Sequence, residues 1–213
     1  MTYVKASVRR PAGNPGNGIQ PKDQLVIYDV DDILSFPPRN EAGVVIEEDI
    51  VMKAGRYAIS IYLTPGTAEI SSNSDGETDA EGYTPSVKFN HPGNEQEIRE
   101  FKTNWLSKKC IVVLRYCSGK PADLIGTPCN PCKLSVSYTG SNESNTNELT
   151  FTQISKGDDI AIYRGTDTLE EPVAVVEAGA TDIDYQTDGQ YQLSASAAKI
   201  AGVTGGSHGS VIT

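Results

Sequence analysis

The clearest pattern of apolar and polar positions lies in residues 85–156. Apolar residues alternate with polar ones in residues 86–89, 133–139 and 148–154, as they do in β-strands with one buried face. Residues 111–114 are apolar without interruption, which predicts a strand that is covered on both faces. This stretch therefore predicts a strand, then a helix, a buried strand and a two-stranded hairpin.

The helix is predicted at about residues 94–108. Asn94 is expected to cap it, with Glu97 at the third helical position as an approximate capping box. Lys108 and Lys109 lie at the end that the helix dipole favours for cations. Apolar residues recur at the spacing of one helix face, and they are predicted to pack on the core: Ile98, Phe101, Trp105 and Leu106.

Residues 57–64 alternate as a further strand. One face is predicted to enter the core and consists of Tyr57, Ile59, Ile61 and Leu63. The other face is small and polar with one tyrosine, and suits a wet wall or an interface: Ala58, Ser60, Tyr62 and Thr64. We expect this second face to line a surface that meets water or another subunit.

Residues 65–84 are polar and acidic, which predicts a long loop without regular structure. Loops of this length are uncommon in compact domains and are usually functional, although an ordinary mobile insertion would have the same composition. The functional interpretation is contact with another copy of the chain. The residues predicted to make that contact are Pro65, Glu69, Asp75, Glu77, Asp79, Glu81 and Tyr83.

The whole pattern predicts a mainly β (α+β) fold, a β-sandwich or barrel flanked by one helix. Residues 1–22 are rich in Gly and Pro and form an N-terminal arm, for which a neighbouring subunit is the simplest support. Residues 23–165 form the β domain. Residues 166–213 are predicted to form a β-hairpin about Asp188 and Gly189, followed by a glycine-rich tail.

Composition and charge exclude some classes of function. The formal net charge is -10, so the surface is expected to repel nucleic acid. Such a charge suits a conduit to which DNA does not adhere, and it is equally explained by solubility alone. No apolar stretch approaches the ~20 residues of a membrane span, and no signal peptide is predicted, so we expect folding in a cytoplasm. His91 and His208 lack nearby catalytic partners, and no phosphate-binding loop occurs; the chain is predicted not to be an enzyme and to need no cofactor.

The four cysteines leave three possibilities open. Cys129 and Cys132 form a C-x-x-C, the weak candidate for a metal site. Cys110 and Cys117 are predicted to point to opposite faces of one strand, so they would not join the same metal. A redox motif would precede a helix, whereas this one precedes a strand. Plain thiols, a zinc site and redox chemistry are the alternatives.

Three segments carry a resemblance to a known family: residues 95–101, 110–114 and 124–134, followed by a Ser/Asn-rich hairpin and residues 149–151. About half of the chain resembles the major tail proteins, or tail tube proteins, of bacteriophages, especially phages that infect Bacteroidetes. The resemblance implies a structural virion protein that forms stacked hexameric rings. Inner sheets would join into a barrel through which genomic DNA passes without specific binding.

The resemblance further implies partners and a location. The partners would be further copies of the chain and other tail proteins, namely the tape measure, terminator and baseplate. The protein would be assembled in the cytoplasm of the host bacterium and reside in the phage tail, with no membrane. Alternatives are a terminator or baseplate tube extension, the tube of a bacterial contractile injection system, a glycan-binding or adhesin β-sandwich, and a zinc-bearing regulatory domain.

Overall fold

The computed structural model describes residues 7–14, 16–117 and 119–169, together with the backbone of four short strands in residues 174–204. The fold is mainly β with one α-helix among the described residues, as the sequence predicts. The chain divides into two compact units, Met1–Leu169 and Glu170–Thr213. The first unit thus extends beyond the predicted boundary at residue 165.

The first unit contains twelve strands, one α-helix and one 3-10 helix (Val30–Asp32) among its described residues. Their bounds, in chain order, are β1 Pro21–Asp29, β2 Ile33–Ser35, β3 Val45–Ile46, β4 Val51–Met52, β5 Ile59–Tyr62, β6 Glu69–Asp75, β7 Gly82–Pro92, α1 Gln96–Trp105, β8 Cys110–Tyr116, β9 Ala122–Ile125, β10 Cys132–Gly140, β11 Asn145–Gln153 and β12 Ala161–Tyr163.

Ten of these strands form one sheet that consists of two halves. In the first half, β1 lies between β5 and β8, and β9, β12 and β3 follow on the other side of β8. The second half has the order β10, β11, β7, β6 and is antiparallel throughout. Only Cys110 and Cys132 pair across the junction between β8 and β10.

The main core lies between the two halves. It contains alternate residues of β1 and β8, such as Leu25 and Val112, packed with Phe89 of β7 and Phe151 of β11. The rings of Phe89 and Phe151 stack with centroids 6.4 Å apart. Two sheet halves that face each other in this way remove alternate side chains of the facing strands from water, and this burial stabilises the fold.

A second core covers the opposite face of the first half. The intervening residues of β1 and β8, including Val26, Tyr28, Ile111 and Val113, enter this cluster with Tyr163 of β12. Strand β8 is therefore buried on both faces, which confirms the prediction made from its uninterrupted apolar run.

Helix α1 is shorter than predicted. It begins after Glu95, which is the N-cap and makes no side-chain capping bond, so the capping box of Asn94 and Glu97 is wrong. Asn94 instead accepts a hydrogen bond from Lys102 Nζ at 2.7 Å. Ile98 is buried as predicted.

The predicted core face of α1 is also only partly correct. The rings of Phe101 and Trp105 stack 5.7 Å apart and pack against the main core. Leu106 is 55% exposed. It is the C-cap, with helical backbone and its N–H bonded to the carbonyl of Lys102, and it lies about 80° around the helix from Ile98, at the margin of the apolar face. Its assignment to the buried face is wrong.

The strand predicted at residues 57–64 is displaced from its expected faces. Strand β5 begins at Ile59, and Ile61 and Leu63 are buried as predicted. Tyr57, predicted to be buried, is 40% exposed, whereas Ala58, predicted on the wet face, is 0% exposed. The reason is that Ala58 precedes the strand and donates its backbone N–H to the carbonyl of Thr168.

That contact belongs to residues 164–169, which we call the strap. Asp167 accepts a hydrogen bond from the phenol of Tyr28 at 2.6 Å and forms an ion pair with Arg115. Tyr163 donates its hydroxyl to the carbonyl of Thr166 at 3.1 Å. The strap therefore closes the second core and completes the first unit.

In the second unit, the described residues form two pairs of parallel strands. Strand β13 (Ala174–Val176) pairs with β15 (Tyr191–Leu193), and β14 (Asp182–Asp184) pairs with β16 (Gly202–Thr204). The predicted hairpin would join β14 to β15, so this prediction is wrong. Its turn at Asp188 and Gly189, and the glycine-rich tail beyond β16, lie outside the described residues.

Candidate assembly surface

The second half of the sheet has one entirely hydrophilic side over most of its length. Strand register places paired residues on the same face, and alternate residues on opposite faces. One face enters the main core. The other, which we call the polar face, contains four residues each from β10, β11 and β6 and six from β7: Lys133, Ser135, Ser137 and Thr139 of β10; Thr146, Glu148, Thr150 and Thr152 of β11; Gly82, Thr84, Ser86, Lys88, Asn90 and Pro92 of β7; and Glu69, Ser71, Asn73 and Asp75 of β6.

Charges on the polar face are nearly balanced. Lys88 on β7 lies between two carboxylates on the flanking strands, with Nζ 3.7 Å from Glu69 Oε2 and 4.0 Å from Glu148 Oε2. The hydroxyls of Ser71 and Ser86 are 3.0 Å apart on β6 and β7. Exposed ion pairs of this kind add little stability. The polar face therefore presents small polar groups and paired charge, rather than the excess of acidic groups that the net charge suggests.

The second half of the sheet (β10, β11, β7 and β6), which we call the half-sheet, has two unpaired edges among the described residues. Strand β6 is last in the strand order, and β10 pairs beyond β11 only through Cys132. The outer backbone groups of β6 and of Lys133–Gly140 in β10 therefore have no neighbouring strand in the described part of the chain. Such edges are templates for another chain, and isolated proteins normally cover or shorten them.

The residues predicted to touch another copy occupy a hairpin, not a loop. Residues 69–75 form β6, which pairs along its whole length with β7. The prediction of an unstructured segment at residues 65–84 is therefore wrong. Glu69 and Asp75 belong to β6 and to the polar face, whereas Pro65 is exposed on the turn that precedes the strand.

The turn of this hairpin contains the remaining acidic residues. Glu77, Asp79 and Glu81 are all exposed in the six-residue connection between β6 and β7. Asp79 adopts a positive φ of 71°. A Cβ on Gly76 would lie 2.3 Å from the carbonyl oxygen of Ala80, so only glycine fits that position.

Two contacts fix the base of the turn. Tyr83 exchanges two backbone hydrogen bonds with Gly157, of 2.9 and 3.0 Å, while 41% of the residue stays exposed. Lys156 Nζ lies 3.2 Å from Asp75 Oδ2, and this hydrogen bond lowers the pKa of Asp75 below its ordinary value. The hairpin is thus a defined projection of the domain.

The N-terminal arm is exposed over residues 7–14 and 16–19. Val8 is wholly exposed, and the first backbone bond to the sheet is the one from Cys117 N to the carbonyl of Gln20, at 3.1 Å. Residues 7–14 and 16–19 thus make no backbone hydrogen bond to the sheet. The predicted contact of the arm with a neighbouring subunit stays a prediction.

The cysteines do not converge. Cys129 is exposed, whereas Cys132 is buried opposite Cys110 in the junction between the two halves of the sheet. Burial raises the pKa of the Cys110 thiol to about 12, and burial raises that of Cys132 as well. Both buried thiols are therefore uncharged at neutral pH and behave as small apolar side chains. The described residues contain no group of three or more His, Cys, Asp or Glu side chains that could hold a metal ion.

No protein-family profile, no curated protein and no solved structure matches this chain. Among the described residues, no helix is both long and apolar enough to cross a bilayer. The polar face, its two open edges and the acidic hairpin are consequently the features from which a function must be argued.

Proposed function

We propose that this chain is a tail tube protein of a bacteriophage, a structural subunit that assembles into rings and tubes. The observation that carries the proposal is the four-stranded antiparallel half-sheet with a polar face and two open edges. One edge is on β6 and the other on β10, so each subunit offers both halves of a head-to-tail junction. Such heterologous contacts generate closed rings when the rotation between subunits closes.

A ring built in this way has a water-filled lumen. In every copy, the apolar face of β10, β11, β7 and β6 is already covered by the first half of the sheet and by α1. Only the polar face is therefore free to line a channel. The small hydroxyl and amide side chains fit that role because they bind neither lipid nor an apolar core. Strand β5, whose polar face the sequence predicts to suit a wet wall or an interface, lies in the other half of the sheet.

The dimensions suit the passage of DNA. Six copies, the number that the resemblance implies, contribute four strands each to a barrel of twenty-four. With strands about 4.8 Å apart and tilted as in other barrels, its diameter is roughly 45 Å. Such a lumen is wider than a double helix. The paired charges around Lys88 would limit attachment of phosphates to the wall.

Exposed segments are the candidates for stacking the rings. Residues 77–81 of the turn and the described residues 7–14 and 16–20 of the N-terminal arm are all exposed. The exposed position of Glu77, Asp79 and Glu81 supports a contact with a further ring. Other tail proteins would meet the first and last rings of the tube, and the assembled protein would reside in the virion.

Negative-stain electron microscopy of the purified protein tests the proposal. We expect rings and stacked tubes with an open lumen at concentrations of about 1 mg/ml and above. Rings that never stack would favour the alternative of a terminator or baseplate extension. A strictly monomeric protein at high concentration, measured by sedimentation, would exclude the tube.

A further inference from the structure

We propose a specific register for the junction between subunits: β6 of one copy pairs with β10 of the next so that Asp75 lies opposite Lys133 and Ile70 opposite Tyr138. This inference rests on the proposed ring. It follows from strand direction, from the position of the free backbone groups and from the length of the open edges.

Direction is the first constraint. Each neighbouring pair in the order β10, β11, β7, β6 is antiparallel, so β6 runs opposite to β10. Rotation about an axis that runs roughly along the strands keeps every strand direction. The β6 of one copy therefore meets the β10 of the next in antiparallel orientation, and the antiparallel order continues through the junction.

The free backbone groups give the second constraint, because hydrogen-bonded pairs alternate along an antiparallel ladder. The bond from Ser141 N to Ser144 O, of 2.7 Å, continues the β10–β11 ladder and assigns the odd-numbered residues of β10 to it. The bond from Gly93 N to Asn145 O, of 2.9 Å, assigns the odd-numbered residues of β7 to the ladder with β11. The even-numbered residues of β7 therefore bond to β6, where their partners have odd numbers. Even-numbered residues of both β10 and β6 are left with backbone groups that point outward, and must pair with each other.

Length is the third constraint. Strand β6 has seven residues, and the open edge of β10 runs from Lys133 to Gly140. Two antiparallel alignments use all of β6, with Glu69 opposite either Thr139 or Gly140. The second sets even residues against odd ones, and would also turn the core-facing side chains of one strand to the lumen. Only the alignment of Glu69 with Thr139 satisfies both requirements.

The side chains that this register brings together are complementary. Tyr138 is 47% exposed and Ile70 is half-buried at the opposite edge, so their contact would cover both at an aromatic and β-branched pair. On the lumen side, the ammonium of Lys133 meets the carboxylate of Asp75. Lys133 has no ion-pair partner within its own described chain, whereas Asp75 also binds Lys156.

The same register gives the strand tilt that closed barrels have. Within one subunit the paired row runs straight from Lys133 through Thr152 and Ser86 to Ser71. Across the junction, Lys133 of the next copy lies opposite Asp75, four residues beyond Ser71. An offset of four residues over four strands corresponds to a tilt of about 35° at ~3.3 Å per residue and ~4.8 Å per strand. Closed barrels have tilts of roughly 35–45°.

Disulfide trapping tests the register. In a background with Cys117→Ser and Cys129→Ser, the variant Ser71→Cys with Ser137→Cys places thiols at directly opposite, non-hydrogen-bonded positions. Within one chain these strands are three spacings apart, about 14 Å, which exceeds the span of a disulfide. Diamide takes two electrons and two protons from each thiol pair that it oxidises. Because residues 71 and 137 are too far apart within one chain, the two introduced thiols can join only between copies.

We expect a ladder of covalent oligomers on a non-reducing gel, ending at the closed ring and lost with reductant. The control pairs Ser71→Cys with Ser135→Cys, two residues out of register, and should cross-link at least about tenfold less because diagonal positions are ~7–8 Å apart. A ladder from the control, or rings in micrographs without a ladder from the matched variant, would overturn the register. Micrographs of the unsubstituted protein test whether rings form at all, whereas cross-linking tests the register. Failure of the register can therefore be distinguished from failure of the proposed function.

Charge reversal provides a second, independent measurement. Lys133→Asp sets two carboxylates against each other and should raise the concentration for half-assembly about threefold or more. Adding Asp75→Lys should reverse the polarity of the pair and recover most of the loss. Equal assembly by the single variant and the unsubstituted protein would contradict this pairing.

Discussion

Replacement of Asp167 by alanine should destabilise the first unit by about 3–4 kcal/mol. The side chain of Asp167 is only 6% exposed and accepts from both Tyr28 and Arg115. Its removal leaves the buried phenol of Tyr28 unsatisfied, at about 1–3 kcal/mol, and deprives Arg115 of its ion pair. Loss of one partner of a fully buried pair costs about 3–5 kcal/mol, and the partial exposure of Arg115 reduces that figure.

Urea unfolding followed by tryptophan fluorescence reports on the first unit alone. The reason is that Trp105 is the only tryptophan of the chain and packs on the main core of that unit. Asp167→Asn keeps one acceptor for Tyr28, and should lose about half as much. The matched control is Glu47→Gln, which breaks an exposed ion pair with Arg164 and should cost less than about 0.5 kcal/mol. An Asp167→Ala variant as stable as the control would refute the role of the strap.

Three further predictions concern the turn, a buried carboxyl and the helix. Replacement of Gly76–Glu81 by Asn-Gly keeps β6 and β7, so single rings should persist in micrographs while tubes shorten; unchanged tubes would exclude a stacking role. Burial raises the pKa of Asp123, so its contribution to stability is present below about pH 4 and is lost as pH rises through the folded pKa. Asp123→Asn, whose amide oxygen still accepts from Tyr116, should therefore gain stability over the unsubstituted protein in urea unfolding at pH 7 but not at pH 3, and a loss at pH 7 would contradict this. Ile98→Ala should cost about 2–3 kcal/mol and Leu106→Ala less than about 0.5, because only the first is buried; equal thermal shifts would show that both side chains pack alike.

The sequence predicts the strands that carry strong alternation or an uninterrupted apolar run. Strand β8 is covered on both faces as its pattern indicates, and the hairpin of β10 and β11 follows its alternation. The polar face was also visible in principle, since three of its strands alternate Ser, Thr and Lys with aliphatic or aromatic residues.

Strand β6 could not be found in this way. Ile70 is its only aliphatic residue, and its serines and asparagine have low β-propensity. Pairing with β7 determines its structure, which is a tertiary effect that single-sequence patterns do not contain. The hydrophobic spacing of α1 likewise predicts its face, but not that Leu106, the C-cap at the margin of that face, stays exposed.

The strap illustrates the same limit for polar contacts. Asp167 and Tyr28 are 139 residues apart in sequence, and neither residue belongs to a motif with fixed spacing. The open edges of β6 and β10 are properties of strand order, so they too require the three-dimensional structure. Local sequence pattern thus predicts the central strands of the fold. The candidate site depends on how strands that are distant in sequence are arranged.

The central claim is that the half-sheet of β10, β11, β7 and β6 closes into a ring through its open edges, with the polar face inward. Cryo-electron microscopy of the assembled protein tests this most directly. We expect a continuous antiparallel barrel about 45 Å across, in which Lys88 and Thr150 face the lumen. Rings joined through other surfaces, or a lumen lined by other strands, would contradict it.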